Sequence, residues 1–135
     1  MSRRPEYRGS TSRLATLVVT AALVTACART PASPGLSLEA RTIPEHPVLD
    51  QPFVVEVRVH EGQERTPISG AAVEIIGQMD HPGMAPAVAA VSEPEPGLYR
   101  GAVTLTMAGT WTLQAAASLP DGRRAGQHVE LEIKP

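Results

Sequence analysis

The residues best suited to chemistry lie in one short segment, 78–86, which reads Gln-Met-Asp-His-Pro-Gly-Met-Ala-Pro. Two methionine thioethers and one imidazole fall within six residues there, at Met79, His81 and Met84. Thioether and imidazole are donors that suit Cu(I) better than carboxylates do. The Pro-Gly step after His81 can reverse the chain and return Met84 toward the other two donors. The segment therefore predicts a copper(I) site, with the one further internal methionine, Met107, as a fourth ligand.

The same side chains also have a purely structural interpretation. Met107 continues the alternation of Val103 and Leu105, which places it on an inward face where methionine commonly fills core space. Met79 likewise ends an inward face. The alternative to a metal site is a metal-free loop that packs against a protein partner in the cell envelope. The other histidines are expected to be solvent-facing polar residues: His46, His60 and His128.

The elements that must position these residues are short runs of β type separated by turn residues. Alternation is clearest in Phe53–His60, where Val55, Val57 and Val59 share one face. The opposite face of this segment is polar, with Glu56, Arg58 and His60. No window of 11 residues after residue 26 has helical periodicity without an internal proline or glycine. The predicted strands are Leu36–Thr42, Phe53–His60, Ala71–Met79, Val88–Val91, Leu98–Met107, Thr110–Ala117 and His128–Ile133.

About seven short strands with regular turns predict an all-β fold, an antiparallel immunoglobulin-like β-sandwich. If the segments 71–79, 88–91 and 98–107 run up, down and up, Met79 and Met107 end at the same rim. The four candidate donors, Met79, His81, Met84 and Met107, would then lie close enough together at that rim to form one site.

The amino terminus has the pattern of an export signal. A basic stretch precedes 13 uncharged residues, 14–26, too few for a spanning helix, which needs about 20. Val24-Thr25-Ala26-Cys27 then resembles the lipobox of bacterial lipoproteins, in which the cysteine becomes the lipidated first residue. The predicted organisation is a signal peptide over 1–26, lipidated Cys27 with a flexible Pro/Ser/Gly tether over 27–35, and one domain over 36–135. A lipid anchor would hold the protein on the outer side of a bacterial membrane, so we expect an extracytoplasmic location.

Composition excludes several function classes. The chain has one cysteine, which rules out a disulfide framework and a thiolate zinc site. Removing residues 1–26 removes 4 of 12 basic and 1 of 14 acidic residues, leaving a net charge of −5 and no reason to expect nucleic acid. Motifs for nucleophilic, phosphate-binding or metalloprotease catalysis are missing. We expect neither an enzyme nor a small-molecule substrate.

Three motifs together resemble a known family. Met79-x-His81-x-x-Met84 is followed by Gly97-x-Tyr99-x-Gly101 and then by Met107-Ala-Gly109-x-Trp111. This pattern, over roughly residues 36–133, is similar to the YtkA-like domain, related to FixH-type proteins of oxidase assembly. The resemblance implies an immunoglobulin-like sandwich outside the cytoplasmic membrane, copper handling, and an envelope or oxidase-assembly protein as partner. FixH-type proteins usually carry a spanning helix, where this chain has a lipobox.

Overall fold

The computed structural model describes residues 32–135. The predicted signal peptide (1–26), the lipobox and Cys27 lie outside the described residues. Within the described part of the chain, no helix is long and apolar enough to cross a membrane.

Nine strands form in residues 32–135, and no helix. Seven are of five residues or more, as the sequence predicted, and two are two-residue strands. The strands are β1 Leu36–Ile43, β2 Pro52–Glu61, β3 Thr66–Pro67, β4 Ala72–Met79, β5 Ala87–Val88, β6 Val91–Glu95, β7 Leu98–Thr104, β8 Gly109–Ser118 and β9 Arg124–Ile133.

The strands form two antiparallel sheets packed face to face. The larger sheet has the order β1-β2-β7-β6, with β3 paired to β2, and the smaller has the order β5-β4-β8-β9. Without β3 and β5, the seven longer strands lettered A to G give the sheets A-B-E-D and C-F-G. That is the strand order of an immunoglobulin constant-type domain. The predicted all-β immunoglobulin-like sandwich is confirmed.

The core forms because alternate residues of facing strands point inward. Val55, Val57 and Val59 of β2 are at most 1% exposed, and Trp111 and Leu113 of β8 face them at 1% each. Fully burying one such aliphatic side chain contributes about 1.5–3 kcal/mol. The period of two in the sequence therefore identifies the inward faces of β2 and β8 correctly.

The predicted strand Val88–Val91 is in fact two strands in different sheets. β5 pairs with β4, whereas β6 pairs with β7. Between them the Ala89 N–H donates to the Ile75 carbonyl at 3.0 Å, and the Ala89 side chain enters the core. A side chain at Gly101 would prevent this crossing, because its Cβ would lie 2.8 Å from the Ala89 Cβ. Gly101 thus allows the chain to change sheets.

Two predicted strand ends also differ from the structure. β7 ends at Thr104 rather than Met107, because its partner β2 begins at Pro52, opposite Thr104. β9 begins at Arg124 rather than His128, since the tight turn after Leu119 lets pairing start at Ser118 and Arg124. The neighbouring strand sets the end of β7, whereas the turn between β8 and β9 sets the start of β9.

Candidate functional site

Met79 lies at the last position of β4, directly opposite Trp111 of β8. Its side chain is half-buried and packs against the core. The Met79 Cε methyl lies against Gly109, where a Cβ would approach it to 3.1 Å. The predicted inward position of Met79 is confirmed, and the glycine at the start of β8 makes room for it.

The loop after β4 turns back on itself, as the Pro-Gly step predicts. The His81 N–H donates to the Met79 carbonyl at 2.9 Å, and the Met84 N–H donates to the His81 carbonyl at 3.2 Å. Gly83 has a φ of 82°, a left-handed conformation that glycine adopts without strain. Met84 is consequently returned to the body of the domain, where it is half-buried against the core.

Met79 and Met84 line one surface cavity of about 450 Å³. The residues lining it are Gln78, Met79, Asp80, Met84, Pro86 and Thr112. Neither His81 nor Met107 is among them. The structure thus brings two of the four predicted donors into one cavity.

His81 is exposed at the tip of the same loop. Its Nδ1 lies 3.1 Å from the Pro82 carbonyl oxygen. A carbonyl can only accept, so Nδ1 is the donor in this contact and Nε2 is the ring nitrogen left to face a metal. This arrangement, with one ring nitrogen donating to a backbone carbonyl, is common for metal-binding histidines.

Met107 does not lie on an inward face, contrary to the sequence prediction. β7 has already ended at Thr104, and Met107 is 36% exposed in the link to β8. Its carbonyl accepts a hydrogen bond from the Trp111 indole Nε1 at 2.9 Å. Because Trp111 is the strand partner of Met79, the Met107 backbone lies at the same rim as the end of β4.

The remaining histidines divide into two kinds. His46 and His128 are exposed, as predicted, but His60 is 7% exposed and the prediction for it was wrong. His60 lies opposite Pro67 of β3, which pairs with β2 at this position. Over residues 32–135, no group of three or more His, Cys, Asp or Glu side chains could hold a metal ion.

A second cluster, which the sequence did not predict, lies on the outer face of the larger sheet. Glu56 is only 1% exposed although it points away from the core. Its Oε1 accepts from Arg41 at 2.6 Å and Arg58 at 3.2 Å, and its Oε2 accepts from Arg100 at 3.0 Å. Burial disfavours the ionised carboxylate, but hydrogen bonds from Arg41 and Arg100 outweigh it and lower the pKa of Glu56. We call these four residues the arginine cluster.

The cluster forms through register, which explains why it was missed. Arg41, Glu56 and Arg100 are direct neighbours across β1, β2 and β7, and Arg58 follows two positions along β2. The alternating Glu56, Arg58 and His60 did indicate a polar face of β2. That polar face was the only signal in the sequence that could have found the cluster.

The fold and the site define a small immunoglobulin-like module with a methionine-histidine loop at one rim. The chain belongs to the YtkA-like family, whose model matches residues 38–116. No curated protein matches the chain. The solved structure of the ZirS C-terminal domain is similar, with a TM-score of 0.50 and 8% identity over 100% of this chain and 88% of that chain. At that identity the likeness shows the fold alone.

Proposed function

We propose that this protein is a lipid-anchored extracytoplasmic module that binds copper(I) through Met79, His81 and Met84, with Met107 as a fourth donor. Its task would be copper delivery or sequestration, including supply to respiratory oxidase maturation through an envelope or oxidase-assembly partner. It would have no catalytic activity, no nucleic-acid partner and no small-molecule substrate. Membership in the YtkA-like family supports an extracytoplasmic module. The copper site is proposed from the donor residues of the methionine-histidine loop, and the lipid anchor from the lipobox-like motif that ends at Cys27.

One observation carries the copper proposal: Met79 and Met84 line the same cavity. The hydrogen-bonded turn between them holds His81 within the same loop, and its Nδ1 contact with the Pro82 carbonyl leaves Nε2 as the nitrogen that would bind the metal. Two thioethers and one imidazole form a donor set that suits Cu(I). The loop would hold the metal, and His81 would complete the set by moving its exposed ring toward the cavity.

The exposed position of the loop suits transfer rather than permanent storage. When one of the four donors is displaced, the three that remain leave a coordination position that a partner's methionine or histidine can occupy. His81 and Met107 are both exposed, so either donor can be displaced first. Copper would then pass by stepwise ligand exchange at the rim of the sandwich.

The direct test is a Cu(I) titration of residues 28–135, which contain every described strand, against a chromogenic chelator. We expect one-to-one binding tighter than about micromolar, which corresponds to about −8 kcal/mol. The variant Met79→Leu/His81→Ala/Met84→Leu should lose it, because leucine keeps methionine's volume without the sulfur. The control His46→Ala/His128→Ala should bind like wild type. Equal chelator loading by wild type and the triple variant would refute the copper proposal.

The lipid anchor needs its own experiment. The full chain, expressed in bacteria fed with labelled palmitate, should incorporate the label and fractionate with membranes. Cys27→Ser should lose both properties, since the thiol is the predicted acceptor. Labelling that persists in Cys27→Ser would contradict the anchor and leave the copper result untouched.

The second candidate is the metal-free interaction module. The observation in its favour is that Met79 and Met84 are half-buried against the core, where thioethers serve as packing groups. In that case the loop would present His81 and its neighbours to an envelope protein. Binding of a partner that survives copper chelation and disappears in the triple variant would support this candidate over the first.

A further inference from the structure

The two outer faces of the sandwich carry opposite charge. Residues 32–135 contain seven of the arginines and lysines, and four of these lie on the outside of the larger sheet. The charged residues of that face are Glu39, Arg41, Glu56, Arg58, Arg65, Glu95 and Arg100, a net charge of +1. The outer face of the smaller sheet carries Glu74, Arg124, Glu130 and Glu132, a net charge of −2.

Within the larger sheet's outer face, the positive charge is concentrated in the arginine cluster. Glu39 is neutralised by Arg65, at 2.6 Å. The cluster itself has three guanidinium groups on one carboxylate, a net charge of +2. These guanidinium groups are 48–65% exposed and keep N–H donors that Glu56 does not use. They form a fixed set of donors suited to phosphate oxygens, which arginine binds well.

An exposed apolar group borders the cluster. Ile43 is 44% exposed and follows Arg41 on the same face of β1, next to Val54 and Ala102 in the adjacent strands. Cationic side chains beside an exposed aliphatic residue are typical of surfaces that bind at the lipid headgroup boundary. The outer face of the smaller sheet also has an exposed aliphatic residue, Val88, which is 70% exposed, but it carries three glutamates and a single arginine. The concentration of guanidinium groups therefore distinguishes the face of the larger sheet.

The chain path places the end of the sandwich at which β1 begins close to the proposed anchor. The Ser33 N–H donates to the Arg124 carbonyl at 2.9 Å, and the Ser33 hydroxyl accepts from the Arg124 N–H at 3.0 Å. Ser33 therefore belongs to the folded domain, and only residues 28–32 separate it from Cys27. Six residue steps span at most about 20 Å. β1, which carries Arg41 and Ile43, begins three residues after Ser33.

We propose that the outer face of the larger sheet docks on anionic phospholipid headgroups, with the arginine cluster binding lipid phosphates and Ile43 entering the boundary region. The proposal rests on the lipid anchor of the proposed function, which would hold the face at high local concentration over the membrane. Docking would orient the acidic face of the smaller sheet away from the membrane.

The test couples Cys27, the only thiol in the chain, to a maleimide lipid, using residues 27–135 without copper. Arginine reactivity toward phenylglyoxal is then measured by mass spectrometry on two kinds of vesicle. One is pure phosphatidylcholine, and the other contains about 30% phosphatidylglycerol to supply the negative surface potential. We expect Arg41, Arg58 and Arg100 to react at least about fivefold more slowly on the anionic vesicles, an effect that high salt removes.

Arg124 is the internal control, because it lies on the outer face of the smaller sheet but is bonded through its backbone to Ser33, next to the proposed anchor. It measures protection by proximity to the vesicle alone and should be protected less than the three arginines of the cluster. Arg58→Gln should reduce the protection of Arg41 and Arg100 about fivefold, because it removes one of the charges that attract the anionic surface. The variant should still fold, since Arg58 makes the longest contact with Glu56 and glutamine keeps an N–H donor. Arg124→Gln, with the same change of net charge, should leave that protection intact. Circular dichroism shows whether each variant is folded.

Three results would overturn the proposal. Equal reactivity of all four arginines on both vesicles excludes docking. Equal protection by inorganic phosphate without vesicles would identify a site for a free anion. Protection that depends on protein concentration in the absence of lipid would identify a second copy as the occupant. Chemical coupling replaces the lipid modification, and no copper is added, so these results are independent of the tests of the proposed function.

Discussion

Removing the charge of Glu56 should destabilise the domain, although the side chain lies on an outer face. Glu56 is 1% exposed and contacts three guanidinium groups, and three strands meet through it. Glu56→Gln keeps the size and one acceptor oxygen. It also places an amide N–H₂ group against arginine donors, so at least one contact becomes repulsive.

The size of the expected loss of stability depends on which partners of the ion pairs are buried. Removing one partner of a fully buried ion pair costs about 3–5 kcal/mol. Here the arginines that lose their partner are 48–65% exposed and can be hydrated by water. Each of the three contacts should therefore cost roughly 0.2–1 kcal/mol, as an exposed ion pair does. We expect a loss of about 2 kcal/mol, or a Tm lower by roughly 8–16 °C for a domain of this size.

The stabilisation that Glu56 contributes should decrease as the pH falls. The pKa of Glu56 is lowered in the folded protein, against the effect of burial, by hydrogen bonds from Arg41 and Arg100. Its stabilisation is therefore present above the unfolded pKa, about 4.3, and is lost as pH falls through the lower folded value. The difference between wild type and Glu56→Gln should shrink between pH 6 and pH 3.

Urea unfolding at several pH values measures this difference, with Glu39→Gln as the matched control. Glu39 pairs with Arg65 where both side chains are more than half exposed, so its loss should cost at most about 1 kcal/mol. A Glu56→Gln midpoint equal to that of Glu39→Gln at pH 7 would refute the reasoning. A deficit that stays constant down to pH 3 would do so as well.

Three further variants test the loops that close the sandwich. In urea unfolding, Gly97→Ala should lower the free energy of unfolding by at least about 1 kcal/mol more than Gly122→Ala does. Both glycines have a positive φ, but only at Gly97 would the added Cβ clash, because it would lie 2.7 Å from the Pro67 Cβ. Glu93→Gln should destabilise the domain more at pH 7 than at pH 3, because hydrogen bonds from the Ser69 hydroxyl and the Gly97 N–H lower the pKa of Glu93. A difference in stability that does not depend on pH would contradict this. Tyr99→Phe should cost about 1–3 kcal/mol in urea unfolding, since its hydroxyl donates to the Ile68 carbonyl and accepts from the Ala71 N–H, both at 3.0 Å; a stability equal to wild type would show these bonds to be dispensable.

Prediction from sequence succeeded where the signal was local. The alternation in β2 identifies Val55, Val57 and Val59 as core because side chains of a strand alternate between faces whatever the partner strand. The Pro-Gly step identifies the turn that returns Met84, since its conformation depends on those residues themselves. Both features hold before any tertiary contact is known.

Prediction from sequence failed where another strand determines whether a residue is buried. Met107 continues an alternating pattern, yet it is exposed because β7 loses its partner at Pro52. His60 has a polar position on β2, yet it is buried where β3 pairs with β2. The sequence around Met107 does not show where its partner strand ends, and the sequence around His60 does not show that β3 pairs beside it.

The sequence by itself determined the fold class, the inward faces of the long strands and the presence of a methionine-histidine loop, because strand alternation and turn chemistry act over a few residues. Only the tertiary structure decided that Met79 and Met84 share one cavity and that three arginines meet on Glu56. Arg41 and Arg100 lie 15 and 44 residues from Glu56 in the chain. Their meeting depends on strand order and register, which are set by packing of the whole sandwich and not by any segment of it.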